Sequence, residues 1–195
     1  MATTGTSSSG GKSARSKSAS SKSSTAKKSA AKKSTAPVAR GNDAVAVLKR
    51  DHREVERLFK QYEKVKEDDA AKQEIFQQIA LELKVHTQIE EEIFYPESRE
   101  FVKEQDTVNE AVVEHMSAKD LIAQLEGMQP SDEYYDAKVT VLKEMIEHHV
   151  EEEEKEYFPE VQKKGMDTKA VGERLLARKE ELMTEMGGTG SRATH

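Results

Sequence analysis

The sequence contains no cysteine and no tryptophan among its 195 residues. The lack of cysteine excludes disulfides, thiolate metal sites and cysteine nucleophiles, so a metal ion can bind only through nitrogen and oxygen atoms. No apolar run approaches the roughly 20 residues of a membrane-spanning helix, and the first residues lack the apolar core of a secretory signal. An organellar transit peptide fits poorly, because the Ser-rich start offers almost no apolar face. The sequence therefore favours a cytoplasmic protein.

Acidic side chains are missing from the first 41 residues, whereas the rest of the chain is rich in them. The basic residues of this segment are Lys12, Arg15, Lys17, Lys22, Lys27, Lys28, Lys32, Lys33 and Arg40. The other 154 residues carry 22 basic and 37 acidic side chains, a net charge of −15. With almost nothing apolar to bury, residues 1–41 are predicted to be a disordered Lys/Ser/Ala-rich tail. Non-specific contact with nucleic-acid phosphates and a role as a spacer are both open for this tail.

The remaining sequence predicts helices, because Glu, Lys, Ala, Leu and Gln dominate it and apolar residues recur at helical spacing. Four amphipathic helices are predicted, over about 43–66, 69–95, 106–126 and 132–158. Pro96 is expected to end or kink the second helix, and Pro159 to stop the fourth. The short links favour an all-α, antiparallel up-down-up-down four-helix bundle over residues 42–160. Residues 161–195 are predicted to form a short C-terminal helix and a frayed end.

The bundle sequence repeats itself with an offset of 63 residues. The residues paired by this offset are His52 with His115, His86 with His149, Glu90 with Glu153, Phe94 with Tyr157, Tyr95 with Phe158 and Pro96 with Pro159. Two helix pairs are therefore built on one plan. The offset also identifies His149, rather than His148, as the counterpart of His86.

Each repeated histidine lies on the apolar stripe of its helix, and each repeated glutamate follows its histidine by one turn on the same face. A single histidine or glutamate in such a helix is usually structural or solvated. That ordinary interpretation is kept for Glu91, Glu92, Glu151, Glu152, Glu154 and Glu156. Four imidazoles and two carboxylates buried together would cost several kcal/mol per charge without a cation. The repeat therefore predicts a metal site with the ligands His52, His86, Glu90, His115, His149 and Glu153.

Two metal ions are favoured over one, because the ligands divide into two groups of two histidines and one glutamate. Six side chains are too many for a closed tetrahedral zinc site. Glutamates from opposite helix pairs can bridge ions about 3.5–4 Å apart, and positions would remain open for a small ligand. Nitrogen and oxygen ligands suit iron, manganese or zinc. Two non-haem iron ions are the expected cofactors, with manganese and zinc as the alternatives.

The pattern His52 … His86-x-x-x-Glu90 … His115 … His149-x-x-x-Glu153 resembles the hemerythrin HHE cation-binding family over roughly residues 43–160. The resemblance implies an antiparallel four-helix bundle, a non-haem di-iron centre with bridging carboxylates, and binding of dioxygen or related small molecules. Two positions depart from the oxygen carriers of the family. Lys119 stands where they have a fifth histidine, and their last carboxylate corresponds to Glu154 rather than Glu153. The missing imidazole argues against simple reversible oxygen carriage, and Glu153 is preferred as ligand because it matches Glu90.

Three functions are compatible with these features. The leading one is a di-iron protein that binds or senses O2, NO or peroxide. The second is a di-iron enzyme that decomposes peroxide or oxidises ferrous iron, with catalysis at the metals because no separate nucleophile or nucleotide-binding loop is visible. The third is a nucleic-acid-associated protein acting through residues 1–41. Phe94 and Tyr157, one turn beyond the glutamates, are expected to pack in the core and to keep water from the site.

Overall fold

The structure is a computed structural model of the chain, and it describes residues 41–65, 67–102 and 105–187. All regular secondary structure in these residues is helical. None of the described helices combines the length and the apolar character that crossing a membrane requires. The predicted basic tail, apart from Gly41, lies outside the described residues, as does the chain beyond residue 187.

The first helix pair consists of α1, Ala44–Tyr62, and α2, Asp69–Ile89. Helix α2 does not stop at its last α-helical residue. It continues through a π-helical segment, Glu90–Phe94, into the short helix α3, Tyr95–Ser98.

The second helix pair is built in the same way. It consists of α4, Gln105–Glu126, and α5, Tyr135–Glu152, and α5 continues through a π-helical segment, Glu153–Tyr157. Helix α6, Phe158–Lys164, follows directly, and α7 then spans Thr168–Gly187.

Capping residues define several helix ends. The carboxylate of Asp43 accepts a hydrogen bond from the backbone N–H of Ala46 at 3.1 Å, and Asp68 caps α2 through Ala71 at 3.0 Å. Each contact gives a hydrogen-bond acceptor to a backbone N–H of the first turn, which has no acceptor within the helix. An N-cap of this kind typically stabilises a helix by about 1 kcal/mol. Gly165 ends α6 with a φ of 85°, a left-handed conformation that glycine adopts without steric cost.

The helices pack as the sequence predicted. Helix α1 packs against α2, α4 against α5, α2 against α4, and α1 against α5. This is the neighbour pattern of an up-down-up-down bundle, so the predicted all-α bundle is confirmed. Helix α7 packs across α1 and α2 and therefore covers one half of the bundle. Gly172 permits this close approach, because a Cβ atom there would lie 1.9 Å from the carbonyl oxygen of Asn42.

Pro159 does not stop its helix, contrary to the prediction, and Pro96, which was predicted to end or kink the second helix, does not end it. Each follows a π-helical segment, in which the N–H of Tyr95 bonds to the carbonyl oxygen of Glu90 across a wider turn, and the second segment is built the same way. Each proline then begins a new helical segment, where its missing N–H costs no hydrogen bond. Because a π turn holds one residue more than an α turn, the side chains beyond it are displaced around the helix axis.

Candidate metal centre

The six predicted ligands converge in the middle of the bundle, between two apolar core clusters. Helix α1 contributes His52, α2 His86, α4 His115 and α5 His149, while Glu90 and Glu153 are the first residues of the two π-helical segments. All six side chains are buried, and none of these residues exposes more than 4% of its surface. So much polar surface in the core requires a compensating partner.

The histidines form two pairs. The Nε2 atoms of His52 and His86 are 3.2 Å apart, and those of His115 and His149 are also 3.2 Å apart. Each pair joins the two long helices of one half of the repeat. The two pairs are therefore equivalent under the 63-residue offset.

Glu90 lies between the two histidine pairs. Its Oε2 atom is 3.1 Å from Nε2 of His86 and 3.4 Å from Nε2 of His115. The residue is fully buried, and neither carboxylate oxygen has a hydrogen-bond partner among the described residues. A buried carboxylate in this condition is costly unless a cation lies beside it.

Glu153 occupies the equivalent position from the other half. Its Oε2 atom is 3.3 Å from Nε2 of His52 and 3.6 Å from Nε2 of His149, and it also has no hydrogen-bond partner among the described residues. Its Oε1 atom accepts a hydrogen bond from the hydroxyl of Tyr95 at 3.0 Å. Both carboxylates are thus placed as bridging ligands of two ions would be.

Each histidine faces a second carboxylate through its outer nitrogen, Nδ1. The four pairs and their nitrogen–oxygen distances are His52 with Glu154 at 3.0 Å, His86 with Asp51 at 3.7 Å, His115 with Glu91 at 3.0 Å and His149 with Glu114 at 2.8 Å. In the three pairs at 2.8–3.0 Å, the carboxylate accepts a hydrogen bond from Nδ1–H, and this tautomer leaves the lone pair on Nε2. His86 and Asp51 face each other at 3.7 Å without a hydrogen bond. Two such lone pairs 3.2 Å apart repel each other unless a cation lies near them. The donor atoms therefore fit metal ions.

These four residues, Asp51, Glu91, Glu114 and Glu154, are called here the outer carboxylates. They also follow the 63-residue offset, since Asp51 matches Glu114 and Glu91 matches Glu154. Glu91 and Glu154 are predicted from the sequence to be solvated, but in the structure they contact the predicted ligands His115 and His52. Their shared offset was the signal that could have identified them. Glu154, the alternative ligand, contacts the outer side of His52, whereas Glu153 faces the centre.

Three of the outer carboxylates bind a basic side chain. The pairs are Asp51 with Lys179 at 2.8 Å, Glu91 with Lys119 at 2.7 Å and Glu154 with Arg53 at 2.6 Å. Lys119 is the residue at the position of the fifth histidine of oxygen carriers. Its ammonium group contacts Glu91, so this position supports a ligand histidine from outside the centre.

The charges of the site shift the pKa values of its members. Burial alone would lower the pKa of His86, but the carboxylates of Glu90 and Asp51 raise it to about 10. Burial raises the pKa of a carboxyl group, yet the positive charges of His149 and of the adjacent His52 lower the pKa of Glu153 to about 2. Without a metal ion, the centre therefore balances its acids with protons on imidazole. Metal binding must displace these protons.

Aromatic rings cover both histidine pairs. The ring of Tyr95 stacks on His115 with centroids 5.7 Å apart, and the ring of Phe158 stacks on His52 at 5.8 Å. The two contacts are equivalent under the offset, but only Tyr95 carries a hydroxyl group. Burial, together with the charges of Glu153 and Glu90, keeps the pKa of Tyr95 well above its usual value, so the hydroxyl keeps its proton.

Phe94 and Tyr157 pack in the core, as predicted, but the rings that cover the histidines belong to the next residues, Tyr95 and Phe158. The π-helical segments bring these two residues to the histidines. The hydroxyl of Tyr157 lies 2.5 Å from Oγ of Ser98. Tyr95 was missed because nothing in the apolar periodicity reports a π turn.

An inner cavity and a surface pocket lie next to each other on the α1–α5 side of the centre. The inner cavity is lined by the four histidines and by Asp51, Val55, Leu83, Thr87, Ile146 and Val150. The surface pocket of about 370 Å³ lies between α1 and α5 and shares His52, Val55, Ile146 and Val150 with the inner cavity. These shared side chains form the wall between the surface pocket and the inner cavity.

Comparisons with known proteins agree with this geometry. The family model of the hemerythrin HHE cation-binding domain matches residues 43–161. A protein of Nostoc sp. named DNA nickase is 30% identical over 149 residues, which are 75% of this chain and 42% of that protein. The chain thus spans about two fifths of that relative. The crystal structure of a hemerythrin HHE cation-binding domain-containing protein from Mycobacterium kansasii matches with a TM-score of 0.65 at 23% identity, covering 78% of this chain and 94% of that one.

Proposed function

The chain belongs to the hemerythrin HHE cation-binding domain family, and we propose that its cation site is a centre of two non-haem iron ions. One ion is assigned to His52 and His86, the other to His115 and His149, and Glu90 and Glu153 are assigned to both. The observation that supports this proposal is the position of the two carboxylates. Each is buried between imidazole nitrogens of both histidine pairs and has at least one oxygen atom with no hydrogen-bond partner among the described residues.

Iron is proposed because the donor set consists of imidazole nitrogen and carboxylate oxygen, with no thiolate to favour copper(I) or a cluster. Six side chains cannot saturate two six-coordinate ions, even when two of them bridge. Bound iron would supply redox electrons and open coordination positions. The proposed ligand is therefore a small oxidant or diatomic molecule such as O2, NO or peroxide.

The chain's own residues prepare the centre for such a ligand. The outer carboxylates hold the imidazole rings, and the apolar side chains of Val55, Ile146 and Val150 line the inner cavity beside them. This lining disfavours bulk water but accepts small apolar molecules. On the opposite side, the hydroxyl of Tyr95 donates to Glu153 and lies 3.5 Å from Nε2 of His115, so one of the two positions has a proton donor beside it.

Sensing or redox chemistry is proposed in preference to oxygen carriage. The ligand set contains four imidazoles, and Lys119 takes no part in it, because its ammonium group contacts Glu91 instead. A centre with one imidazole fewer, and therefore with more open positions, suits reactions with peroxide or nitric oxide better than reversible storage of O2. Peroxide decomposition or oxidation of ferrous iron is the enzymatic form of this proposal.

Spectroscopy of iron-loaded protein tests the proposal. Protein reconstituted anaerobically with ferrous iron should change its absorption spectrum on addition of O2, NO or hydrogen peroxide. His149→Ala removes one imidazole and should abolish or strongly reduce the change. Glu156→Gln, an exposed position of the same helix, serves as the matched control. A spectrum that does not respond to any of the three molecules would contradict the proposal, and equal peroxide turnover by wild type and His149→Ala would remove its enzymatic form.

A second proposal is that the protein associates with nucleic acid through residues 1–41. It is supported by the nine basic residues of this segment and by the name of the Nostoc relative, DNA nickase. Contact with up to nine phosphates would give a slope of log K against log salt approaching about −8. Deletion of residues 1–41 should abolish binding to duplex DNA. Binding that survives this deletion would refute the role of the tail.

A further inference from the structure

Glu114 differs from the other outer carboxylates in its surroundings. Asp51, Glu91 and Glu154 each bind a lysine or arginine, but in the described part of the chain no basic side chain of either type pairs with Glu114. Its Oε2 atom contacts Nδ1 of the buried His149 at 2.8 Å. The carboxylate therefore contacts an imidazole on its inner side, and no lysine or arginine of the described residues forms an ion pair with its outer side.

The outer side of Glu114 faces two residues of α5. Its Oε1 atom lies 3.9 Å from Nε2 of His148, and the same nitrogen lies 3.4 Å from Oε1 of Glu152. One donor atom from each of the three side chains fits within 4.8 Å of the others. Ligands around one first-row ion at about 2.1 Å are separated by roughly 3–4 Å, so small side-chain movements suffice to form a site.

The 63-residue offset shows that this group is specific to one half of the bundle. The counterparts of His148 and Glu152 are Val85 and Ile89, which are fully buried in the core cluster that includes residues of α7. In that half, α7 also supplies Lys179 as the cation for Asp51. In the other half, an imidazole and a carboxylate stand at the equivalent positions, and both can bind a metal ion.

A cleft leads from this group towards the buried centre. Glu114 and Glu152 line it together with His149, Glu153 and Tyr95. Its outer residues are partly exposed, whereas Glu153 is buried and has an oxygen atom without a hydrogen-bond partner among the described residues. Anionic side chains thus line the cleft at its mouth and at its buried end.

We propose that Glu114, His148 and Glu152 form a third cation site, which binds a divalent first-row metal ion at the mouth of this cleft and passes ions to the buried centre. The site takes the place of the basic side chain that the other outer carboxylates possess. Its role in loading rests on the proposed di-iron function, whereas the binding of a cation to these three residues does not. The two parts are therefore tested separately.

Cobalt(II) titration of the full-length protein tests the binding site. The metal-loaded wild type should bind one further equivalent of cobalt(II), detected by calorimetry and by the visible spectrum of the ion. His148→Ala and Glu152→Gln each remove one ligand and should weaken this binding at least about tenfold. Glu151→Gln, at an exposed residue that pairs with Lys155, should leave it unchanged. The absence of a further equivalent, or equal binding by all four proteins, would show a surface ion pair only and overturn the proposal.

The rate of iron uptake tests the transfer of ions. Metal-free protein should take up ferrous iron more slowly in His148→Ala and Glu152→Gln than in wild type, by about tenfold at metal concentrations below saturation of the third site. Because neither residue belongs to the buried centre, the final content of buried iron should be unchanged. An unchanged rate with a lost cobalt site would refute the loading role. Failure of wild type to retain buried iron would instead refute the di-iron proposal, while cobalt binding could still be scored.

Discussion

The neighbouring residues Glu153 and Glu154 allow a sharp test of the ligand assignment. In the structure, Glu153 lies between His52 and His149 on the inner side of the rings, whereas Glu154 contacts only the outer nitrogen of His52. The same substitution, Glu to Gln, keeps the size of each side chain and removes its charge. The two variants should therefore differ strongly in their effect on metal binding.

The expected magnitudes follow from the two positions. Loss of an outer partner typically costs 10–100-fold in metal affinity, or about 1.4–2.7 kcal/mol, and Glu154→Gln should fall near the lower value because an amide oxygen still accepts from Nδ1–H. A four-ligand zinc site binds with about 10–16 kcal/mol, roughly 2.5–4 kcal/mol per ligand. Glu153→Gln should therefore lower the binding affinity for each ion by about 10²–10³-fold.

Competition with a chromophoric chelator measures both affinities, and Glu156→Gln is the exposed control in the same segment. The metal-free proteins should be compared by urea unfolding as well, so that a loss of fold is not mistaken for a loss of ligand. If Glu154→Gln weakened binding as much as Glu153→Gln or more, the bridging carboxylate would be Glu154, and the assignment from the repeat would be wrong.

Three further predictions concern the surroundings of the centre. Tyr95→Phe removes a hydrogen bond to a charged carboxylate and should lower the unfolding free energy in urea by about 1.5–3 kcal/mol; no change would contradict the contact with Glu153. Because the pKa of His86 is about 10 in the folded protein and near 6.5 in the unfolded chain, protonation of His86 stabilises the metal-free fold. This contribution is complete below pH 6.5 and is lost as the pH rises through about 10. Metal binding at pH 7 should consequently release at least about one proton, so the calorimetric heat of binding should depend on the ionisation enthalpy of the buffer. The same heat of binding in different buffers would refute this prediction. Gly172→Ala should destabilise the fold by about 1–3 kcal/mol, and an unchanged melting temperature would contradict the close packing of α7 on α1.

The fold and the proposed ligand set are both predicted by one kind of sequence information, which is periodicity. Apolar residues at helical spacing predict the four long helices, and the 63-residue offset selects the same six polar residues that the structure brings together. His149 was distinguished from its neighbour His148 in this way. Periodicity suffices here because a buried side chain must lie on the inner face of its helix.

The features that sequence reasoning missed do not depend on periodicity. The π-helical segments at Glu90 and Glu153 change the turn locally, and they bring Tyr95 rather than Phe94 to the histidines. The sequence did contain a signal for them, because an aromatic residue followed by proline occurs in both repeats, as Tyr95-Pro96 and Phe158-Pro159. Glu154 was predicted to be solvated because its contact with His52 joins two segments that are far apart in the sequence. The spacing of residues within one helix does not predict such a contact.

The packing position of α7 was also not predictable from the sequence. An amphipathic segment after residue 167 predicts a helix but not the half of the bundle that it covers. Its packing on α1 and α2 depends on Gly172, and it places Lys179 on Asp51. The resulting difference between the two halves leaves Glu114 beside His148, which the internal symmetry of the sequence does not reveal.

The most direct test of the central claim is the iron content of the protein after anaerobic loading and removal of loosely bound metal. The account predicts two iron ions per chain in the wild type and a strong reduction in His149→Ala, with unchanged content in Glu156→Gln. Wild-type protein that retained no iron, or the same amount as His149→Ala, would contradict the claim that the buried imidazoles and carboxylates form a metal centre.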